Sequence, residues 1–268
     1  MTAMDTLAAA RYADVIRLRA VRMVAAHGFG YLGQALSSAE LFATLYLQHY
    51  DPARDSLVVS PGHYIITAFA AAPEAGLLDE ASLASYGFDE SALEAIGTER
   101  SPAVDLTGGS LGMGLSGAVG LALADRLQCR PEARVFVLVS DGELEEGQVW
   151  EAVMFAAHNR LGALTVLLDA NDSQVDGPVS SITTLEPIAA KWESFGWAAF
   201  DVDGHDTAAL DAALGAAAAD ERPAVVIART SVRHGLSVLP QDADGHFIKL
   251  PPELAAAAVK ELEARLAR

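Results

Sequence analysis

Four apolar segments separated by helical stretches constrain the fold of this chain most strongly. They read RVFVLVS (134 to 140), LTVLLDA (164 to 170), AAFDVD (198 to 203) and AVVIART (224 to 230). Runs that are apolar on both faces are typical of parallel strands covered by helices on both sides. The pattern therefore predicts an α/β fold: a doubly wound, mainly parallel sheet with helices on both faces, in one domain over residues 1–268.

Elements outside these four strands follow from local signals. Residues 8–27 carry apolar side chains at helical spacing, and the glycines of HGFGYLG end that helix. Ser37 and Glu40 match a capping box, which predicts that the second helix begins at Ser37. The segment DSLVVSPGH predicts a strand followed by a turn, and residues 64–98 predict short helices. The segment LTGGSLGMGLSGAVGLALADRL predicts a glycine-rich loop that leads into a helix. The last segment, PPELAAAAVKELEARLAR, predicts a closing helix.

Composition excludes several classes of function. The formal net charge of -18 disfavours nucleic acid and anionic membranes, because a phosphate surface repels such a protein. Cys129 is the single cysteine, so no disulfide framework or cysteine metal cage is expected. The sequence lacks a signal-peptide pattern and a membrane-spanning run, which predicts a cytoplasmic protein.

Polar residues at the ends of two neighbouring predicted strands suggest a cation site. Asp141 follows the first of these strands, and Asn171 follows the next. The carboxyl ends of parallel strands meet at one edge of a sheet, where ligands bind, so the two side chains should be neighbours. Carboxylate and amide oxygens suit Mg²⁺, which commonly shares phosphate oxygens with a bound ligand.

The sequence around Asp141, VSDGELEEGQVWE, leaves two interpretations open. Gly142 allows a tight turn with backbone N–H groups near a phosphate, and the helix expected from about Glu146 directs its positive end there. A solvated acidic turn is the alternative. The loop GGSLGMG is equally ambiguous, because such a loop either cradles a pyrophosphate or allows close packing.

Together these motifs resemble a known family. In SDGELEEGQVWEA, Gly142 is separated by 28 residues (143 to 170) from Asn171 of NDSQVDG. This arrangement is similar to the diphosphate-binding motif of thiamine diphosphate enzymes, in the form found in transketolase. SPGH (60 to 63), DLTGGSLGMGLSGAVG (105 to 120), FGWAAFDVDGHD (195 to 206) and PAVVIART occur in transketolase order. The resemblance therefore covers nearly the whole chain and implies the thiamine diphosphate-binding fold.

The resemblance implies a role for individual residues. Asp141, Asn171 and the backbone carbonyl of Ser173 would bind Mg²⁺. His63 and Gly142 would contact the diphosphate of thiamine diphosphate. The segment Gly112, Met113 and Gly114 would lie near the aminopyrimidine. Glu143 is counted with the cofactor-binding residues, although holding the loop, meeting a partner subunit and facing solvent remain alternatives for Glu143 and Glu145.

A full-length transketolase continues with a pyrimidine-binding domain and a C-terminal domain, which this sequence does not contain. The pyrimidine domain supplies the glutamate that activates the cofactor. The resemblance therefore implies a split enzyme, in which a C-terminal transketolase-like subunit completes the site in an α2β2 heterotetramer. Such an enzyme transfers a two-carbon ketol or acyl unit from a small ketose or 2-oxo acid.

Departures from the family pattern lie on the substrate side. Tyr31, in GYLG, replaces a histidine, and Glu99, Arg100 and Ser101 stand where a second histidine is expected. His63, His234 and His246 are the catalytic candidates, the last two as alternatives for a histidine near the end of the domain. The departures predict a non-standard substrate in specialised biosynthesis.

Other functions remain open at this stage. One is the α-type subunit of a 2-oxo acid dehydrogenase or decarboxylase, although Asp172 follows Asn171 where that class usually has a second asparagine. Another is a non-catalytic regulatory subunit that keeps the fold. A nucleotide-binding module is disfavoured because the sequence lacks GxxxxGK followed by Ser or Thr.

Overall fold

The computed structural model of the chain describes residues 3–241 and 243–268; residues 1, 2 and 242 of the predicted domain lie outside the described residues. The described residues form a parallel sheet of six strands in the order β3-β2-β4-β5-β7-β6. These strands are β2 (Ser56–Pro61), β3 (Leu106–Gly108), β4 (Val135–Ser140), β5 (Leu164–Ala170), β6 (Ala198–Asp203) and β7 (Ala224–Arg229). Two short strands, β1 (Phe29–Gly30) and β8 (Ile248–Lys249), pair antiparallel elsewhere.

Helices alternate with the strands along the chain. They are α1 (Ala3–Ala25), α2 (Leu32–Gln48), α3 (Ile65–Ala71), α4 (Met113–Leu127), α5 (Gly147–His158), α6 (Val179–Ile182), α7 (Ile188–Ser194), α8 (Thr207–Ala219) and α9 (Pro252–Leu266). Short 3-10 turns cover Gly62–Tyr64, Glu80–Ser85 and Asp141–Glu145. No helix of the described residues combines the length and the apolarity that crossing a membrane requires.

The two faces of the sheet carry separate apolar cores, as the doubly wound fold predicts. In β4, Phe136 and Leu138 pack on the side of α1, α2 and α8, whereas Val137 and Val139 pack on the side of α4, α5 and α7. Successive side chains of a strand point to opposite faces, so a strand buried on both faces needs apolar residues at every position. The predicted fold class is confirmed, and the four predicted strands match β4, β5, β6 and β7 within one residue.

The predicted start of the second helix is wrong. α2 begins at Leu32, and Ser37 lies within it, fully buried. The Ser37 hydroxyl donates to the carbonyl of Gln34 and to Asp169 instead of capping the helix. Glu40 forms a buried ion pair with Arg17. Ser37 and Glu40 therefore match the capping-box pattern without capping a helix, because both make tertiary contacts.

A capping box does occur at the carboxyl end of β4. The Ser140 side chain accepts from the backbone of Glu143, and the Glu143 carboxylate accepts from the Ser140 N–H. This reciprocal pair forms the 3-10 turn through Asp141 and shapes the start of the acidic segment. Sequence analysis also missed β3, whose three residues beside a glycine-rich loop give too short a signal to recognise.

Candidate functional site

The structure brings Asp141 and Asn171 to the same edge of the sheet. β4 and β5 are hydrogen-bonded in parallel, and each residue directly follows its strand. The Asp141 carboxylate is 4% exposed and accepts from the N–H groups of Gly142, at 2.9 Å, and Asp172, at 2.7 Å. The second bond ties the end of β4 to the loop that carries Asn171.

Asn171 is held by a buried network that sequence analysis did not identify. Its amide nitrogen donates to the Tyr64 hydroxyl at 2.7 Å and to Asp169 at 2.9 Å, while its side-chain oxygen accepts from the Ser173 N–H at 2.9 Å. Asp169 is fully buried and also accepts from Ser37, Tyr64 and Thr230. The network therefore fixes Asn171 at the end of β5.

Glu143 joins three segments at the same edge. Its carboxylate is fully buried and accepts from the Ser60 hydroxyl at 2.6 Å, the Gly112 N–H at 2.7 Å and the Ser140 N–H at 3.2 Å. It thus links the end of β2, the start of α4 and the end of β4. Of the alternatives considered from the sequence, this geometry matches a residue that holds the loop; Glu145, in contrast, is exposed and accepts from Gln174.

The glycine-rich loop leads into α4 beside Ser60. A Cβ atom at Gly114 would lie 2.4 Å from the Ser60 Cα, so only glycine allows this approach. Gly112 and Gly114 are buried, whereas Met113 is 55% exposed. The start of α4 therefore packs on the carboxyl end of β2, which continues into the turn that contains His63.

The electrostatics of this edge are unbalanced. Burial, followed by the charge of Asp169, raises the pKa of Asp141 to about 7, and burial raises the pKa of Glu143 to about 7 despite three donors. Burial also raises the pKa of Asp169. Among the described residues, these three carboxylates accept hydrogen bonds from backbone N–H groups, hydroxyl groups and the Asn171 amide, and from no Arg, Lys or His. The edge therefore concentrates buried negative charge without a protein cation.

A divalent cation fits this donor set. The carboxylate of Asp141, the amide oxygen of Asn171 and the backbone carbonyl of Ser173 are hard oxygen ligands on adjoining strand ends, the type that Mg²⁺ prefers. A cation would also offset the desolvated charge of Asp141.

His63 and His246 form one cluster with Tyr31. The ring centroids of His63 and His246 are 4.9 Å apart, and the Tyr31 ring lies 5.2 Å from His63 and 5.9 Å from His246. Burial, with the nearby His246, lowers the pKa of His63 to about 3, and burial lowers the pKa of His246. Both imidazoles are therefore neutral at pH 7 and act as hydrogen-bonding groups rather than cations.

His234 belongs to a different cluster. Its ring stacks on His205 with centroids 3.6 Å apart and an interplanar angle of 8°. Its Nε2 lies 3.6 Å from Glu40, and burial lowers the pKa of His234 to about 4. Of the three histidines predicted from the sequence, the structure therefore brings together His63 and His246, and places His234 against the ion pair of Glu40 and Arg17.

Comparisons with known proteins agree with this architecture. The sequence matches the family model "Transketolase, thiamine diphosphate binding domain" over residues 8–266. It is 38% identical over 262 residues to a putative uncharacterized transketolase family protein of Sinorhizobium fredii, covering 93% of each chain. It is 36% identical over 261 residues to the 6-deoxy-6-sulfo-D-fructose transketolase subunit SqwG of Clostridium sp., covering 94% of each.

Longer relatives match over part of their length. Human transketolase is 30% identical over 262 residues, which cover 95% of this chain and 42% of the human protein. Among solved structures, transketolase from Leishmania mexicana has a TM-score of 0.85 at 27% identity, covering 97% of this chain and 41% of that one. Campylobacter jejuni transketolase, with a TM-score of 0.87 at 24% identity, covering 98% of this chain and 43% of that one, shows the same fold. The chain belongs to the transketolase family and carries its thiamine diphosphate binding domain.

Proposed function

We propose that this chain is the thiamine diphosphate-binding subunit of a two-chain transketolase-like enzyme. A single domain over residues 1–268 would bind the cofactor, and a C-terminal subunit would supply the activating glutamate in an α2β2 assembly. Two observations support a split enzyme: the chain spans about two-fifths of human transketolase, and a relative of matching length is named a transketolase subunit. The reaction would be the transfer of a two-carbon ketol or acyl unit.

The observation that carries the proposal is the cation-free acidic edge at the ends of β4 and β5, in a chain of this family. Asp141, Asn171 and the carbonyl of Ser173 would hold Mg²⁺, and His63 and Gly142 would contact the diphosphate. Gly112, Met113 and Gly114 would line the aminopyrimidine. Bound thiamine diphosphate would supply the carbanion-stabilising chemistry of the transfer, while the chain's residues bind, orient and exclude water.

The substrate proposal rests on the residues that replace family histidines. Tyr31 places an aromatic ring against His63 and His246. In the segment that stands where the family has its second histidine, Arg100 forms an ion pair with Glu94, and Ser101 accepts from the Thr98 N–H. The side chains of Arg100 and Ser101 therefore make contacts with residues close to them in sequence. These residues support a substrate other than the standard pentose phosphates. A sulfonated ketose belongs among the candidates because SqwG is named for one.

The test uses the chain co-expressed with the product of the neighbouring gene. Calorimetry with thiamine diphosphate should give binding with Mg²⁺ and none with excess EDTA. Product release is then measured with pentose phosphates, 6-deoxy-6-sulfo-D-fructose and 2-oxo acids. Failure of the complex to bind cofactor would overturn the proposal. Binding without turnover would indicate a regulatory subunit, and turnover of 2-oxo acids alone would indicate the dehydrogenase or decarboxylase type.

A further inference from the structure

Two segments that are distant in sequence, around β1 and around β8, pack against each other beside the candidate site. β1 pairs with β8, and the Leu250 N–H donates to the Gly28 carbonyl at 2.7 Å. A Cβ atom at Gly33 would lie 1.8 Å from the carbonyl oxygen of Gly245, so only glycine permits this contact. The close approach brings the next residue, Gln34 in the first turn of α2, onto His246.

The contacts of Gln34 determine which end of its amide faces His246. Gln34 is 1% exposed, and its side-chain nitrogen lies 3.1 Å from the backbone oxygen of His246 and 3.2 Å from the His246 Nδ1. A backbone carbonyl has no proton to donate, so the group facing it must be the NH₂ end. The same NH₂ group then donates its second proton to Nδ1.

This donation settles where the proton of the neutral imidazole lies. Because Nδ1 accepts from Gln34, the ring must carry its proton on Nε2. Nε2–H is then the hydrogen-bond donor that the neutral ring can offer to a ligand.

The other end of Gln34 strengthens this interpretation. Its Oε1 is buried and has no hydrogen-bond partner among the described residues. A buried acceptor without a partner costs free energy. The two hydrogen bonds that the NH₂ group donates offset this cost and keep the amide in this orientation. The Tyr31 and His63 rings pack against the same imidazole and restrict its rotation.

We propose that Gln34 is a positioning residue that holds His246 in the Nε2–H tautomer, so that His246 serves the site as a hydrogen-bond donor and not as a base. The role of His246 toward the cofactor rests on the proposed function. The contact between Gln34 and His246 does not, because it follows from the fold alone.

The first test measures the tautomer directly. Protein labelled with ¹⁵N-histidine is examined by long-range ¹H–¹⁵N correlation at pH 7.5, and the His246 signals are identified by their loss in His246→Phe. The wild-type ring should show a protonated Nε2 and an unprotonated Nδ1. A protonated Nδ1 with a bare Nε2 would overturn the proposal.

Two variants of Gln34 test the cause. Gln34→Glu presents an acceptor to Nδ1 and should move the proton there or leave both nitrogens protonated; Gln34→Met removes the donor and should give a mixture. The same Gln-to-Glu change at the exposed Gln128 is the control and should leave the His246 spectrum unchanged. Retention of the pure Nε2–H form in both Gln34 variants would refute the assignment.

Cofactor affinity separates this inference from the proposed function. If His246 donates to the bound cofactor, a shift of its proton from Nε2 to Nδ1 in Gln34→Glu should raise the thiamine diphosphate Kd of the two-chain complex about tenfold, the effect of losing one hydrogen bond. An unchanged Kd beside a changed tautomer would refute the donor role. If the wild-type complex binds no cofactor while the spectra behave as expected, the proposed function fails and the positioning of His246 by Gln34 stands.

Discussion

Two groups of buried carboxylates in this fold differ in whether a cation accompanies them. Glu40 lies beside Arg17 and His205, and although burial raises its pKa, Arg17 and His205 lower the pKa of Glu40 to about 2. The pKa of Asp141 and that of Glu143 are instead raised to about 7 by burial. The first group has its counter-charge within the protein, whereas no residue in the described part of the chain forms an ion pair with the second.

This difference separates a structural ion-pair cluster from the proposed cation site. Ligand atoms of Glu40, His205 and His234 lie within 4.8 Å of one another, close enough to suggest a metal site. However, His205 Nδ1 donates to Glu40, and its Nε2 accepts from the Ser231 N–H. The stacked rings also cannot direct in-plane lone pairs at one ion. Neighbouring charges thus distinguish the two groups better than residue types do.

The largest expected effect comes from removing the cation of the first group. Arg17→Met should lower the free energy of unfolding by about 3–5 kcal/mol, because it leaves the Glu40 charge buried and unpaired. Urea denaturation at pH 7 measures the change. The double variant Arg17→Met/Glu40→Met, which removes both charges, should recover most of the loss. A double variant as unstable as the single one would show that the ion pair is not the cause.

Removing a carboxylate from the second group should affect binding rather than folding. Asp141→Ala should weaken Mg²⁺-dependent binding of thiamine diphosphate about 100-fold or more, since even changes around a metal ligand cost 10–100-fold. Calorimetry on the two-chain complex is the measurement. Asp176→Ala, at an exposed acid of the neighbouring loop, is the matched control and should bind normally. Equal affinities of the two variants would mean that Asp141 is not the metal ligand.

Glu143 belongs to the second group, but three hydrogen-bond donors hold its carboxylate, so its removal should affect folding. Glu143→Met keeps the approximate size and leaves two N–H groups and the Ser60 hydroxyl without an acceptor. The free energy of unfolding should fall by about 2 kcal/mol. Exchange of the Gly112 amide should accelerate about tenfold. Glu145→Met, two residues along the chain at an exposed position, is the control and should change neither quantity. Equal effects of the two variants would exclude Glu143 as the link between the three segments.

The two groups should also differ in how stability depends on pH. The folded pKa of Asp141 lies above its unfolded value of about 3.8, so its contribution is present below pH 4 and is lost as pH rises toward about 7. The lowered pKa of Glu40 gives the opposite sign, with stability lost as pH falls from about 4.5 toward about 2. His63, whose pKa is lowered, also opposes the Asp141 effect between about 3 and 6.5.

A variant isolates the Asp141 contribution from that of the histidines. In metal-free protein, the stability of Asp141→Asn relative to wild type should rise by about 1 kcal/mol per pH unit between pH 4 and 7 and then level off. Urea midpoints at unit pH intervals give the slope. A constant difference between the two proteins across this range would show that Asp141 titrates normally in the fold.

The sequence predicted those parts of the fold and site that depend on local pattern. The strands β4, β5 and β7 are apolar at most positions, whereas the edge strand β6 carries Asp201 and Asp203. Asp141 and Asn171 directly follow β4 and β5, so topology alone makes them neighbours. The bond from Ser37 to Asp169 joins residues 132 positions apart, and no periodicity indicates it. The same limit produced the wrong capping box, because a serine before an apolar run looks alike whether it caps a helix or supports a buried acid.

The smallest expected effect concerns the histidines that the sequence could not separate. His234 contacts the ion-pair cluster, whereas His246 contacts His63. The two histidines differ in position because tertiary packing sets the paths of the loops that carry them. His234→Phe preserves the stacked ring and should change the thiamine diphosphate Kd less than about threefold, within the range of a weak exposed charge contact. His246→Phe should raise it about tenfold through loss of a hydrogen bond. If the two variants bind equally weakly, the Glu40 cluster also contributes to the cofactor site, and the distinction between the two groups of carboxylates no longer holds.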